Sequence, residues 1–556
     1  MFEIIDNYIS SVMKERNIPG SSIAIVKDRE IAWSKGFGYA DLEEKTPATS
    51  DTVYRYCSMT KPFVTMGLLQ LMEKGMFSLD DPVNDHLEKA KIKTMFAKQP
   101  TIRDLLTHYS GLPTIGTPRA RDEREASSTE KYIARFARAV RPPGQVHGYS
   151  NPGFVIVGHL IEHFSGTPYP IHMKEKVIKP LEMGSSDFYL TPSMEGRMST
   201  GYGRRSPEEP IQRVAPYVSG ITPPAASGNL FSTCTDYAHF IIAQLNGGVY
   251  KGKRILKEET LRESHRLQAA TGNSRSGMGL SWFRLLHNDH VVIRHTCGML
   301  GFTSHVAFYP DLKTGVIWNT NLNDGSGWRP PALTALSMAS GEHKTFDPKT
   351  TRSEMVPDEW RKIAGTYGIP DQTLQIKVEE GNLVMGEGDG KAFLQKIEGP
   401  RYLVHGGSND GLELTFEYDE SGRVKQFDLG PSVIPRYLTG TWKVIHTTNP
   451  LLFDFILNIE SEKQATAISV DGKKIPITIF DVEGRSITGS FKTAEPQDAI
   501  GLPTPPPNYN VTFELQYVED LLIGQIKINP EKATVRLPGK IMILSRSCTP
   551  SHQKRN

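Results

Sequence analysis

No stretch of the 556 residues approaches the ~20 consecutive apolar residues needed to cross a bilayer. The N-terminus also lacks a basic start followed by an apolar run, so it does not read as a secretory leader. Acidic and apolar residues instead interleave over residues 1–9, which predicts an amphipathic opening helix. Cysteine is scarce: Cys57, Cys234, Cys297 and Cys548 lie far apart, with no C-x-x-C pair and no Cys/His cluster. That argues against a structural zinc or a disulfide framework. Charge of one sign is missing too. The 64 basic and 62 acidic residues give a net +2 and no field to attract nucleic acid or an anionic membrane. These absences lead us to expect a cytoplasmic, reducing location, in which the sequon Asn510-Val511-Thr512 has no significance.

What is present reads as folded globular protein, since 38% apolar and 23% charged residues can build cores. The chain exceeds the roughly 250–300 residues at which one core stops growing, so two to four domains are expected. Up to about residue 350 the texture is mixed α/β. Residues 21–26 and 30–33 predict a strand hairpin, 63–74 and 153–164 apolar helices, and 291–294 and 303–309 adjacent strands about a Gly-rich turn. A helix starting at Thr101 is ended by Gly111-Leu112-Pro113, and the charged stretch 119–139 is expected as a solvated helix. Strands at both ends with helices between them imply one sheet that pairs distant segments. Beyond residue 350, short alternating runs take over at 374–378, 413–418, 425–429, 475–480, 511–517 and 522–528, a pattern of antiparallel barrel or sandwich. Ala364-Gly365-Thr366-Tyr367 is echoed by Thr439-Gly440-Thr441-Trp442, and Leu414-Thr415-Phe416-Glu417 by Val511-Thr512-Phe513-Glu514. Two related all-β units with a boundary near 435–439 are the economical reading.

Candidate chemistry begins at Ser58-Met59-Thr60-Lys61, where a buried strand is expected to run into an apolar helix. A serine three residues before a lysine at a helix start places hydroxyl and amine on one face, and a desolvated lysine can take the hydroxyl proton. Ser11/Lys14, Ser128/Lys131 and Ser551/Lys554 share the spacing, so the spacing alone selects nothing. Tyr149-Ser150-Asn151 follows the loop signal Pro142-Pro143-Gly144 and precedes an apolar helix. A tyrosine there could relay a proton to a leaving group, and the asparagine amide could hold lysine or a substrate carbonyl. In isolation the same pattern describes a turn with a half-buried tyrosine. His295-Thr296-Cys297-Gly298 ends a strand whose backbone N–H groups could face an oxyanion, with Gly298 allowing close approach; alone, it equally describes a satisfied histidine at a strand end.

Taken together and in this order, Ser-x-x-Lys, Tyr-x-Asn and a strand motif that starts with a basic residue resemble the serine β-lactamase and penicillin-binding superfamily. Gly36-Phe37-Gly38-Tyr39-Ala40-Asp41-Leu42, Leu105-Leu106-Thr107-His108-Tyr109-Ser110-Gly111-Leu112-Pro113, Gly301-Phe302 and Tyr309-Pro310 extend the likeness over about residues 1–340. With its two-unit all-β tail, the whole chain resembles the D-stereospecific aminopeptidase branch of that superfamily. The resemblance implies a multidomain protein. An α/β β-lactamase-like catalytic domain, an antiparallel sheet with a helical cluster, is expected at 1–350. Two antiparallel, lipocalin-like β-barrels are expected at 351–437 and 438–556. It also implies that a loop of the last barrel reaches the active site. The matching segment is 493–508, where Pro505-Pro506-Pro507 stiffens the chain and Glu495 or Asp498 could pair with a substrate amino group.

The sequence departs from many relatives at two places: His295 stands where Lys-Thr-Gly has lysine, and Cys297 where it has glycine. A histidine is mostly neutral near pH 7, which weakens attraction for penicillin-like carboxylates and argues against β-lactamase or DD-carboxypeptidase as the main activity. The side chain of Cys297 could narrow the cleft or touch substrate.

The resemblance thus implies a serine hydrolase in which Ser58 attacks an amide or ester carbonyl and Lys61 accepts its proton. The N–H groups of Ser58 and Gly298 hold the oxyanion, Tyr149 protonates the leaving amine, Asn151 orients Lys61 and substrate, and His295 shapes the leaving-group side. No metal and no cofactor are implied. The expected substrate is a short peptide, amide or ester with an N-terminal D-residue. The sequence leaves open an esterase or acyltransferase acting through the same acyl-enzyme, a non-catalytic scaffold, and whether the chain forms a homodimer.

Overall fold

In a computed structural model, strand residues alternate between two cores, one on each side of a nine-stranded antiparallel sheet. The structure describes residues 1–94, 96–113, 128–139, 141–204, 209–214, 225–270, 276–299, 301–323, 330–343, 348, 353, 356–369, 372–386, 391–406, 411–429 and 432–435, and the strand backbones between 455 and 545.

The expected long-range pairing is observed. The strand Gly20–Lys27 lies between Glu30–Asp41 and Thr314–Thr320, and the order continues through Phe302–Tyr309, His290–Met299 and Phe283–His287. Successive side chains of a strand point to opposite faces. Ala24 and Val26 therefore enter the core with the helices Thr60–Met72, Asn151–Ser165 and Cys234–Leu245. Ile23 and Ile25 enter the other core with the helices Phe2–Arg16 and Ala332–Ser340. Every residue of Phe302–Tyr309 and Thr314–Thr320 is buried, as expected of strands covered on both faces.

Local signals set the helix ends. Ser150 caps Asn151–Ser165 by accepting the Gly153 N–H at 3.1 Å, Pro152 sits in the first turn, and Gly166 closes the helix at φ 65°. Of the charged stretch expected as one helix over 119–139, only Thr129–Phe136 is helical among the described residues. The chain leaves that helix at Phe136, and the residues that follow pair with a neighbouring segment through Ala137 O and Ala139 N–H on Lys93.

After the α/β body, eight consecutive antiparallel strands run from Gly365–Ile369 to Ser432–Pro435, and the first lies against the last, forming a nearly closed barrel. Its interior residues Tyr367, Phe416 and Phe427 continue the second core of the body, so the two share apolar packing. The echoed sequences at 414–417 and 511–514 both lie in strands that hairpin into the next one. Beyond residue 455 a three-stranded and a five-stranded antiparallel sheet follow.

Candidate active site

The short strand Tyr54–Arg55 pairs with Phe231–Ser232 and delivers the chain to Cys57, whose φ of 42° is left-handed. A non-glycine residue held there stores on the order of 1–3 kcal/mol and persists only where its surroundings impose it. The Thr60 hydroxyl does so here, donating to Cys57 O at 2.6 Å while accepting the Leu230 N–H at 2.9 Å. Ser58 follows in a one-turn 3₁₀ helix, Cys57–Met59, ahead of the helix Thr60–Met72, and not in that helix's first turn as its sequence suggested. Lys61, three residues on in the first turn of Thr60–Met72, lies on the same side of the chain as Ser58.

Lys61 is fully buried and its amine has three partners: Ser227 O at 2.6 Å, Asn151 Oδ1 at 2.9 Å and Ser58 Oγ at 3.2 Å. Burial lowers its pKa to about 7, against a smaller opposing pull from Cys57 and Cys297. A neutral amine has two N–H donors and one lone pair. Ser227 O and Asn151 Oδ1 only accept, so the hydroxyl of Ser58 is the one partner of the three that can donate to that lone pair. The rings of Tyr149 and Phe154 flank the amine, their centroids 4.9 and 5.4 Å away. Asn151 opens the helix capped by Ser150, which fixes its direction toward Lys61.

His295, Cys297 and Gly298 lie at the end of the strand His290–Met299. Pairing with Phe283–His287 stops at Arg294, so the last residues of this strand pair, among the described strands, with Phe302–Tyr309 alone. That end approaches the turn that carries Ser58, where the Cys57 thiol lies 3.9 Å from Met299 O. His295 is 1% exposed, and burial, reinforced by Lys61, lowers its pKa to about 3, so it is neutral at ordinary pH. Its Nδ1–H donates to Thr296 O at 2.9 Å, leaving Nε2 as a buried acceptor without a partner among the described residues. Cys297 is buried in the core that contains Cys57 and Met59, and Gly298 stands opposite Thr303. Glu495 and Asp498 lie outside the described residues.

The look-alike spacings separate clearly. Ser11 is exposed on the opening helix, Ser128 caps Thr129–Phe136 by accepting the Lys131 N–H, and Ser551 lies outside the described residues. One contributor escaped sequence reading. Ser227 acts through its backbone carbonyl, which no side-chain pattern announces; the Ser227-Gly228 turn dipeptide was the available signal.

A sheet with helices packed on both faces, and a serine–lysine pair under a tyrosine and an asparagine, define the class of this protein. A family model described as beta-lactamase matches residues 5–336, and the chain belongs to that family. Among curated proteins it is similar to Protein flp of Staphylococcus aureus (strain COL), 26% identical over 369 residues, covering 65% of this chain and 70% of that protein. It is also similar to Beta-lactamase-like protein 2 of Dictyostelium discoideum, 28% identical over 338 residues, covering 58% of this chain and 59% of that one. The solved structure of the octameric penicillin-binding protein homologue from Pyrococcus abyssi shares the fold, with a TM-score of 0.53 and 22% identity over 88% of this chain and 98% of that one. Among the described residues, no helix is long and apolar enough to cross a membrane.

Proposed function

We propose that the protein is a serine hydrolase that cleaves amide or ester bonds through an acyl-enzyme on Ser58. The observation that carries this reading is the donor–acceptor match at Lys61: with its pKa near 7, the amine can spend two hydrogens on Ser227 O and Asn151 Oδ1 and use its lone pair on the Ser58 hydroxyl. Lys61 then accepts that proton as Ser58 attacks the substrate carbonyl. The negative charge that develops falls to the backbone N–H groups of Ser58 and Gly298, where losing one donor typically costs about 10²–10³ in rate. Tyr149, beside the Lys61 amine, passes a proton to the leaving group, and water hydrolyses the acyl-enzyme.

Within that chemistry, the preferred substrates are short peptides, amides or esters with a free N-terminal amine, and D-residues are the class to test first. Neutral His295 supports this, because it offers no charge to a substrate carboxylate. The antiparallel barrel after the catalytic body also fits the D-aminopeptidase-like reading. A panel of paired L and D p-nitroanilides, simple esters and a chromogenic cephalosporin tests it. Turnover of D-anilides above L-anilides and cephalosporin supports the reading. Ester turnover with no anilide cleavage places the protein among esterases or acyltransferases, and efficient cephalosporin hydrolysis overturns the argument from His295.

A further inference from the structure

The run 105–113 is far from Ser58 in sequence, yet it frames the loop that carries Tyr149. Arg141 N–H donates to Gly111 O at 3.2 Å and Gly144 N–H to Tyr109 O at 2.7 Å. His108 then makes two bonds that bracket the tyrosine: its carbonyl accepts the Gly148 N–H at 2.8 Å, and its ring Nδ1 accepts the Ser150 N–H at 3.0 Å. Its ring also lies against the Tyr149 ring, 4.2 Å between centroids at 31°. His108 is fully buried and holds a left-handed φ of 61°, a conformation costly for a residue with a Cβ unless its neighbours demand it.

We propose that His108 is a positioning residue that fixes Tyr149 by holding the backbone on both sides of it; this rests on the reading of Tyr149 as the proton relay. The ring must be neutral for the clamp to form, because protonation places a hydrogen on Nδ1 and removes the acceptor. Burial, with His147, Lys61 and His295 nearby, keeps its pKa well below the ordinary histidine value, so the acceptor persists across the working range. Asn151 has the helix cap at Ser150 to hold it, whereas Tyr149 precedes that cap. Loss of the clamp therefore falls first on proton delivery to the leaving group.

Side-chain geometry supplies the test. The Oδ1 of asparagine can stand where Nδ1 stands, and asparagine tolerates positive φ, whereas glutamine mimics Nε2, which has no partner among the described residues. Wild type, His108→Asn, His108→Gln, His108→Ala and Tyr149→Phe are compared on p-nitrophenyl butyrate, whose leaving group needs no proton, and on ethyl butyrate, whose leaving group does. Hydrogen exchange at the Gly148 and Ser150 amides is followed in parallel. The expected result is that His108→Ala and His108→Gln lose about 100-fold or more on the ethyl ester relative to the nitrophenyl ester, as Tyr149→Phe does. Both variants should also expose the Ser150 amide, whose acceptor is the ring, and His108→Asn should keep rate ratio and protection near wild type. A leaving-group penalty in Tyr149→Phe without one in His108→Ala and His108→Gln overturns the clamp, as does unchanged exchange at the Ser150 amide, or asparagine performing no better than glutamine. No leaving-group penalty in Tyr149→Phe refutes the relay instead, and exchange then decides the clamp by itself. The Asn/Gln pair keeps the comparison valid if the alanine variant does not fold.

Discussion

The amine of Lys61 lies 3.2 Å from the hydroxyl of Ser58, at the bottom of a site where the lysine side chain is entirely removed from water. Desolvation disfavours the charged amine and lowers its pKa to about 7, which suits the role of base to the adjacent hydroxyl proposed for it.

Acylation should therefore rise with pH through about 7, as Lys61 in the folded protein loses its proton. A pH–rate profile on p-nitrophenyl butyrate measures this. Lys61→Arg, which stays charged, should be inactive across the same range. A rate independent of pH between 5 and 9 in wild type would contradict Lys61 as the base.

The same shift has a signature in stability. The folded-state pKa of about 7 lies below the ordinary 10.5, so between those values the unfolded chain binds the extra proton and stability increases with pH. Below pH 7 both states are protonated and this contribution is flat. Denaturant titrations at pH 7 and pH 9 should show Lys61→Met lacking a gain that wild type has, with a ceiling of about 1.4 kcal/mol per pH unit. Parallel pH dependences in the two proteins would rule out the depressed pKa.

His295→Lys places a cation beside Lys61, where the two would repel. The acid limb of the pH–rate profile should move below its wild-type position, and turnover of carboxylate-bearing substrates should rise relative to free-amine ones. Kinetics of both substrate types across pH check this; an unchanged ratio removes neutral His295 from the specificity argument.

Ser150→Ala removes the cap of the helix that begins at Asn151. Denaturant unfolding should show a loss of about 1 kcal/mol. Turnover should also fall, because Asn151 holds the Lys61 amine at 2.9 Å. A stability loss with wild-type kinetics would show that the helix start is fixed without its cap.

Local patterns carried much of the fold. Ser150, Pro152 and Gly166 marked both ends of one helix, and the apolar run at 63–74 foretold the helix Thr60–Met72. Of the helix expected over 119–139, residues 119–127 lie outside the described residues, Thr129–Phe136 is helical, and the last three residues leave it because neighbouring backbone takes over the hydrogen bonds. At the site, the grouping of Ser58, Lys61, Tyr149 and Asn151 was legible because their side chains make the contacts and their order along the chain is distinctive. Ser227 was not, because it offers only a carbonyl. His108 stood in a recognisable run, yet its bond to Ser150 spans 42 residues and leaves no local pattern.

The most direct measurement is the intact mass of wild type and Ser58→Ala after brief exposure to an activated ester, a D-alanyl p-nitrophenyl ester or p-nitrophenyl butyrate, followed by peptide mapping. A covalent serine mechanism predicts one acyl increment on the peptide that contains Ser58 and none in the folded Ser58→Ala variant. Folded wild-type protein without an adduct and without turnover, or an adduct that survives in Ser58→Ala, would contradict it.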